Sequence, residues 1–83
     1  MFDIFLRLNI SLRQLHQFAI VARELHFGRA AERLNMTQPP LSMAIQNLET
    51  SLGIQLFDRT NRQAPLTHAG TAILADVAPA QEH

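Results

Sequence analysis

The chain of 83 residues, 47% hydrophobic and 17% charged, has the size and composition of one small globular domain, which excludes wholesale disorder. It contains no cysteine, which excludes a disulfide scaffold and any thiolate metal site. The formal net charge is zero and gives little support for nucleic acid as a partner, although residues 10–74 hold six arginines against four acidic residues.

Residues 1–9 have neither a helix cap nor a clear hydrophobic period, and we interpret them as an N-terminal extension. They lack the layout of a signal peptide, and no apolar run in the chain is long enough to span a membrane. A cytoplasmic location is therefore expected.

The first helix is predicted to begin after Ser11, which matches a capping box with Gln14. Apolar residues then recur at helical spacing, and we expect them to face the core. They are Leu12, Leu15, Phe18, Ala19, Ala22 and Leu25.

Residues 27–46 have the pattern of a short helix, a tight turn and a second helix. Gly28 opens the short helix, which is predicted over 29–34 and carries two alanines that permit close packing. Asn35 and Met36 supply the turn. This order predicts a helix-turn-helix.

The second helix of this motif is predicted to begin near Gln38, with Thr37 as its N-cap and Gly53 after its end. Pro39 and Pro40 fall in its first turn, where a missing N–H costs nothing. Its apolar stripe, expected to face the core, is Leu41, Ile45, Leu48 and Leu52. The opposite face is predicted to be Gln38, Ser42, Met43, Gln46, Asn47 and Glu49.

After Gly53 the hydrophobic period changes, and two short strands joined by a turn at 61–63 are predicted. Together they form a two-stranded wing over residues 55–66. Thr67 is predicted to cap a further helix, which Pro79 stops after about three turns. Its apolar side is expected to pair weakly with the same helix of a second chain. That side is Ala69, Ala72, Ile73 and Val77.

Many of these residues occur in the order and spacing of a known family. The matching positions are Leu12 to Leu15, Phe18, Phe27, Arg29 to Leu34, Thr37 to Ser42, Ile45, Leu48, Glu49, Leu52, Gly53, Leu56, Phe57, Arg59, Leu66, Thr67, Ala69 and Gly70. Over residues 10–73 the chain resembles the N-terminal winged helix-turn-helix domain of LysR-type transcriptional regulators. The resemblance implies a mainly α fold with a three-helix core, a two-stranded β wing and the start of a C-terminal linker helix.

The resemblance also implies a division of the chain and a partner. Residues 1–9 are the extension, 10–67 the DNA-binding domain with the helix-turn-helix at 27–46 and the wing at 55–66, and 68–83 a truncated linker helix and tail. The implied partner is double-stranded DNA carrying an interrupted inverted repeat, bound by a homodimer that pairs through the linker helix. The implied DNA contacts are Arg29, Thr37, Gln38, Pro39, Pro40, Ser42, Met43, Gln46, Arg59 and Arg62.

Each of these contacts has a plainer alternative. Polar residues on the outer face of the second motif helix also fit a solvated surface. Arg62 also fits a solvated loop, and Arg59 fits either a brace for the wing or a pair with Asp58. Arg29 lies near a helix start, where a phosphate meets both its charge and free backbone amides.

The sequence departs from the family pattern in two respects. Family members usually carry Arg or Lys at the position of Met43, and often a basic residue near Asn47. A methionine can pack on a thymine methyl group or on a sugar, but it cannot make the bidentate contact of arginine with guanine. The family's effector domain, which takes a small-molecule inducer, does not fit after Thr67, so we expect either a piece of a longer regulator or a naturally short protein.

Other classes of function have weaker support. The four histidines lack the spacing of a zinc site and no glycine-rich phosphate loop is present, so we expect no enzyme and no cofactor. The main rival is a winged-helix module that binds another protein. A short competitor that pairs with a longer regulator is a further alternative.

Overall fold

The computed structural model describes residues 10–60 and 65–81. The extension predicted at 1–9 and the predicted wing turn, including Arg62, lie outside these residues. The described chain forms four helices, α1 (Leu12–Glu24), α2 (Phe27–Arg33), α3 (Gln38–Leu52) and α4 (His68–Gln81). The prediction of a mainly α fold is confirmed. No helix in the described ranges is long and apolar enough to cross a membrane.

Helix α1 lies at the centre and packs against each of the other three helices. It begins as predicted, since the Ser11 Oγ accepts from the Gln14 N–H at 3.1 Å and the Gln14 Oε1 accepts from the Ser11 N–H at 3.0 Å. Leu15, Phe18 and Val21 are fully buried along its inner side. Leu12, expected in the core, is instead 65% exposed, because it is the first helical residue and nothing described covers it.

Helix α2 begins two residues earlier than predicted. His26 is its N-cap, and the His26 Nδ1 accepts from the Arg29 N–H at 3.2 Å. Ala30 and Ala31 are buried, which lets α2 pack closely on α1 and α3. The turn that follows contains Asn35 in the left-handed conformation (φ 55°), which asparagine tolerates better than most residues.

Helix α3 begins at Gln38, as predicted, with Thr37 in the N-cap position. The Thr37 side chain makes no capping hydrogen bond, so the prolines of the first turn alone favour the start. The predicted stripe faces inward, with Leu41, Ile45 and Leu48 fully buried and Leu52 partly buried. Gly53 ends the helix in the left-handed conformation (φ 71°).

The two-stranded wing is not seen, because no strand forms within residues 10–60 and 65–81. The chain is paired there by a single antiparallel bridge between Phe57 and Leu66. The Asp58 N–H donates to the Pro65 carbonyl at 2.8 Å, and the Thr67 N–H donates to the Leu56 carbonyl at 3.0 Å. These bonds form the base of a hairpin whose far end lies outside the described residues.

Helix α4 is capped as predicted, since the Thr67 Oγ1 accepts from the Gly70 N–H at 3.0 Å. The prediction that Pro79 stops the helix is wrong, because α4 continues to Gln81. A proline lacks one amide donor, and so near a helix end it removes one hydrogen bond without breaking the rest. Val77, assigned to the pairing side, is fully buried in the core of the same chain.

Among residues 10–60 and 65–81, three phenylalanines form the aromatic part of the core. The Phe57 ring packs edge-to-face on Phe18 of α1 and on Phe27 of α2, with ring centroids 5.6 Å apart in both pairs. Phe57 thereby attaches the segment after α3 to the first two helices. The helix-turn-helix and the base of the hairpin share one core.

Candidate nucleic-acid interface

The candidate interface is the outer face of α3, opposite the buried stripe. Gln38, Met43 and Gln46 are exposed on it, and Ser42 is half-buried. Thr37, Pro39 and Pro40 are also exposed at the start of the helix. The structure therefore brings all seven of these predicted positions to one surface, which the fully buried residues beneath it hold in place.

Glu49 does not belong to this outer face, contrary to the prediction. It is 8% exposed, and its Oε2 accepts from the Leu56 N–H at 2.7 Å and from the Phe57 N–H at 3.4 Å. Its position four residues after the buried Ile45 was the available signal, since residues four apart share a helix face. The charge of glutamate masked this signal.

Arg59 is the counter-ion of the buried Glu49, with Nη1 2.7 Å from Oε1. Its guanidinium carbon also lies 5.6 Å from the centroid of the Phe27 ring, a cation–π distance. Of the alternatives for Arg59, the bracing contact is thus present, and the pair with Asp58 does not form. Arg59 connects α3 to the first residue of α2.

Asp58 is held by Thr60 instead. Its Oδ1 accepts from both the hydroxyl and the N–H of Thr60. These two hydrogen bonds, the side-chain bond first, lower the pKa of Asp58 below its usual value, because they stabilise the charged carboxylate. The first residues beyond the bridge therefore turn locally and leave Arg59 free to reach back to α3.

A shallow groove of about 530 Å³ runs between the C-terminal half of α3 and the segment that follows it. It is lined by Gln46, Glu49, Thr50, Gly53, Ile54, Gln55 and Arg59. Its walls are mainly polar, and its one acidic group is paired with Arg59. The groove extends the outer face of α3 toward the hairpin.

Arg29 is exposed in the first turn of α2, beside Glu24, Leu25 and His26. The expected free amide at this helix start is not free, because the Arg29 N–H donates to His26. Sequence reasoning missed this histidine cap. Arg29 thus offers an exposed charge at the start of α2, without its own amide.

Two helices joined by a tight turn, the second with a solvent-facing outer side over a buried stripe, define a helix-turn-helix domain. A family model described as "Bacterial regulatory helix-turn-helix protein, lysR family" matches residues 12–71. The chain therefore belongs to the lysR family of bacterial regulatory helix-turn-helix proteins, and the resemblance drawn from the sequence is confirmed.

Relatives and solved structures agree with this assignment. The Escherichia coli (strain K12) protein named "Uncharacterized HTH-type transcriptional regulator YnfL" is 59% identical over 69 residues, which cover 83% of this chain and 23% of YnfL. This chain thus spans about a quarter of the length of that regulator. Such relatives are named as regulators rather than enzymes, which points to a non-enzyme.

Two solved structures share the fold at about the same size. The BenM_DBD/benA site 1 DNA complex superimposes with a TM-score of 0.83 at 41% identity, covering 86% of this chain and 83% of that chain. The CbnR_DBD-DNA complex gives a TM-score of 0.82 at 40% identity, covering 88% of this chain and 84% of that chain. Both of those proteins were solved with DNA.

Proposed function

We propose that this chain is the sequence-specific DNA-binding domain of a bacterial transcriptional regulator and acts on DNA in the cytoplasm. The observation that carries the proposal is the outer face of α3, which is exposed while the stripe behind it is fully buried. An α-helix fits the major groove of B-DNA, and rigid backing fixes its side chains for base recognition. The solved DNA complexes of similar domains support DNA as the partner.

In this placement the outer side chains of α3 read base edges. Gln38 and Gln46 carry amides, which suit adenine, and Ser42 carries a hydroxyl, which suits several bases. Thr37, Pro39 and Pro40 at the exposed start of α3 contact the sugar-phosphate backbone. Arg29 neutralises a phosphate, because its charge is exposed at the start of the first helix of the motif.

We further propose that the hairpin between Phe57 and Leu66 acts as the wing. The bridge between these two residues fixes its base, and Arg62 lies in the connection that it closes. A guanidinium at a wing can enter the minor groove or contact phosphates. Arg59, with its Nη1 on Glu49, supports the wing at its base, and its side chain is still one-third exposed for a contact with DNA.

Pairing of two chains through α4 completes the proposal and gives a dimer on an inverted repeat. Ala72 is exposed, and Ala69 and Ile73 are partly buried, so these three residues offer an apolar strip. Val77 is excluded because the core already covers it. Alanine buries little area, so we expect pairing to be weak without DNA. Sedimentation at micromolar concentration should show a monomer, with two chains bound cooperatively to a palindromic duplex; a tight dimer without DNA contradicts this account.

One observation favours the rival function, a protein-binding module. The outer face of α3 carries no positive charge and exposes Met43, which suits a protein surface as well as a base. Whether the face binds protein or DNA is decided by the salt dependence of binding, because only contacts to phosphates release counterions.

The test is selection of this chain's preferred duplex from a random-sequence pool, followed by a salt titration of the retained and an unrelated duplex. We expect enrichment of one sequence and a steep loss of affinity with salt on both duplexes, because several arginines contact phosphates. No enrichment, or an affinity that does not change with salt, contradicts the proposed function and favours the protein-binding module.

A further inference from the structure

Met43 occupies the centre of the outer face of α3. Each helical residue turns by about 100°, so Met43 stands about 160° from both Leu41 and Ile45. Both of those residues are fully buried, whereas Met43 is 57% exposed. The methionine side chain therefore projects directly away from the core, at the middle of the surface that faces a partner.

The exposed residues of α3 around Met43 carry no charge. The single charged residue of α3 is Glu49, which is buried and paired with Arg59. Pro39, Gln46 and Asn47, one helical turn from Met43 on either side, are exposed and uncharged. The exposed residues of α3 therefore include no positive charge that could attract a phosphate or donate two hydrogen bonds to guanine. An apolar side chain at this centre gains free energy only by covering another apolar group.

The base edges of the major groove present one apolar group, the C5 methyl of thymine. We propose that Met43 is a specificity-determining residue that packs on the methyl group of one thymine in each half-site. This inference rests on the proposed function, because it requires α3 in the major groove. Gln46 lies one turn further along the same face, so its amide is placed for a base next to that thymine.

The test uses the duplex that this chain enriches from a random pool, with each thymine replaced in turn by deoxyuridine. This replacement removes the methyl group and changes nothing else on the base edge. Burial of one methyl group contributes about fourfold in affinity, ~0.8 kcal/mol at 1.4 kcal/mol per tenfold. Wild-type protein should lose about fourfold at one thymine of each half-site, and Met43→Ala should lose nothing at that position.

Leu12→Ala is the matched control, since Leu12 is also a large exposed apolar side chain but lies at the start of α1. It should show the same thymine sensitivity as wild-type protein. Equal effects of every replacement on wild-type and Met43→Ala overturn the proposal, as does the absence of any sensitive thymine. If the chain enriches no duplex at all, the proposed function fails as well. That outcome is distinguishable from the two above, because each of them requires an enriched duplex.

Discussion

The Glu49 carboxylate and the Arg59 guanidinium form an ion pair, with Oε1 and Nη1 2.7 Å apart, that joins α3 to the base of the hairpin. The Glu49 side chain is only 9% exposed, and its other oxygen accepts from the Leu56 and Phe57 amides. The carboxylate thus replaces missing backbone partners where the chain leaves the helix. The pair holds the hairpin at a fixed position relative to the face proposed to read DNA.

Removing Arg59 should destabilise the domain more than removing a comparable surface arginine. Arg59→Ala leaves a buried carboxylate without its counter-ion, at an expected cost of about 1–3 kcal/mol in urea unfolding. Arg33→Ala is the matched control, because Arg33 pairs with Glu24 at the same 2.7 Å but is 54% exposed. Its loss should cost less than about 1 kcal/mol. Equal losses for the two variants contradict a special role for the Glu49–Arg59 pair.

Gly70 is expected to be intolerant of even the smallest side chain. A Cβ at this position meets the Leu56 carbonyl oxygen at 2.2 Å, and backbone atoms cannot move aside as a side chain can. Gly70→Ala should therefore destabilise by roughly 1–3 kcal/mol, although alanine favours helices. Gly53→Asn is the comparison, because Gly53 has a positive φ but nothing within 4 Å, and asparagine tolerates that conformation. Thermal unfolding should rank Gly70→Ala as the less stable variant.

Substitutions on the outer face of α3 should alter sequence preference rather than general affinity. Gln38→Ala or Ser42→Ala should cost on the order of 1–3 kcal/mol on the preferred duplex and leave binding to unrelated DNA nearly unchanged. Neither side chain belongs to the buried core, so the fold should be retained. Fluorescence anisotropy measures the affinity for the preferred and for the unrelated duplex, and their ratio is the specificity. Equal losses of affinity on both duplexes argue against base reading.

Adding a positive charge at the centre of that face should raise general affinity for DNA rather than alter sequence preference. Met43→Arg places a guanidinium where the wild-type helix is uncharged, so affinity for every duplex should rise and the slope of log affinity against log salt should steepen by about one unit. If neither quantity changes, the face does not lie against a duplex.

The wing can be tested through Arg62. Arg62→Ala should weaken binding to all sequences about equally and lower the salt slope by roughly one unit, because a phosphate contact reads no base. A loss confined to A·T-rich flanks points to insertion into a narrow minor groove instead. An unchanged slope assigns Arg62 to a solvated loop.

The features that the sequence predicted correctly depend on residues close together in the chain. The cap pairs of Ser11 with Gln14 and of Thr67 with Gly70 span three residues each, and the stripe of α3 repeats every three or four. Such local patterns fix helix starts and inner faces. The same patterns correctly predict that the face of α3 opposite the stripe, from Gln38 to Gln46, is turned away from the core.

The features that the sequence did not predict depend on contacts with residues outside the same helix, or on a proline that the helix tolerates near its end. Glu49 is buried where the Leu56 and Phe57 N–H groups donate to its carboxylate. The hydrophobic period of α3 contains no information about these two hydrogen bonds, because both donors lie outside the helix. The spacing within α4 alone predicts Val77 on a pairing side. In the structure Val77 is fully buried, and α4 packs against α1. Pro79 predicts the end of the helix, yet α4 continues to Gln81, because a proline near a helix end removes only one backbone hydrogen bond.

Hydrogen bonds through Thr67 connect α3 and α4, which do not contact each other directly in the described residues. The Thr67 hydroxyl donates to the Gln55 carbonyl at 2.6 Å and the Thr67 N–H donates to the Leu56 carbonyl. Leu56 in turn donates to Glu49 of α3. Hydrogen bonds through Thr67 and Leu56 therefore link the start of α4 to Glu49 of α3, so the direction in which α4 leaves the domain is set relative to the outer face of α3.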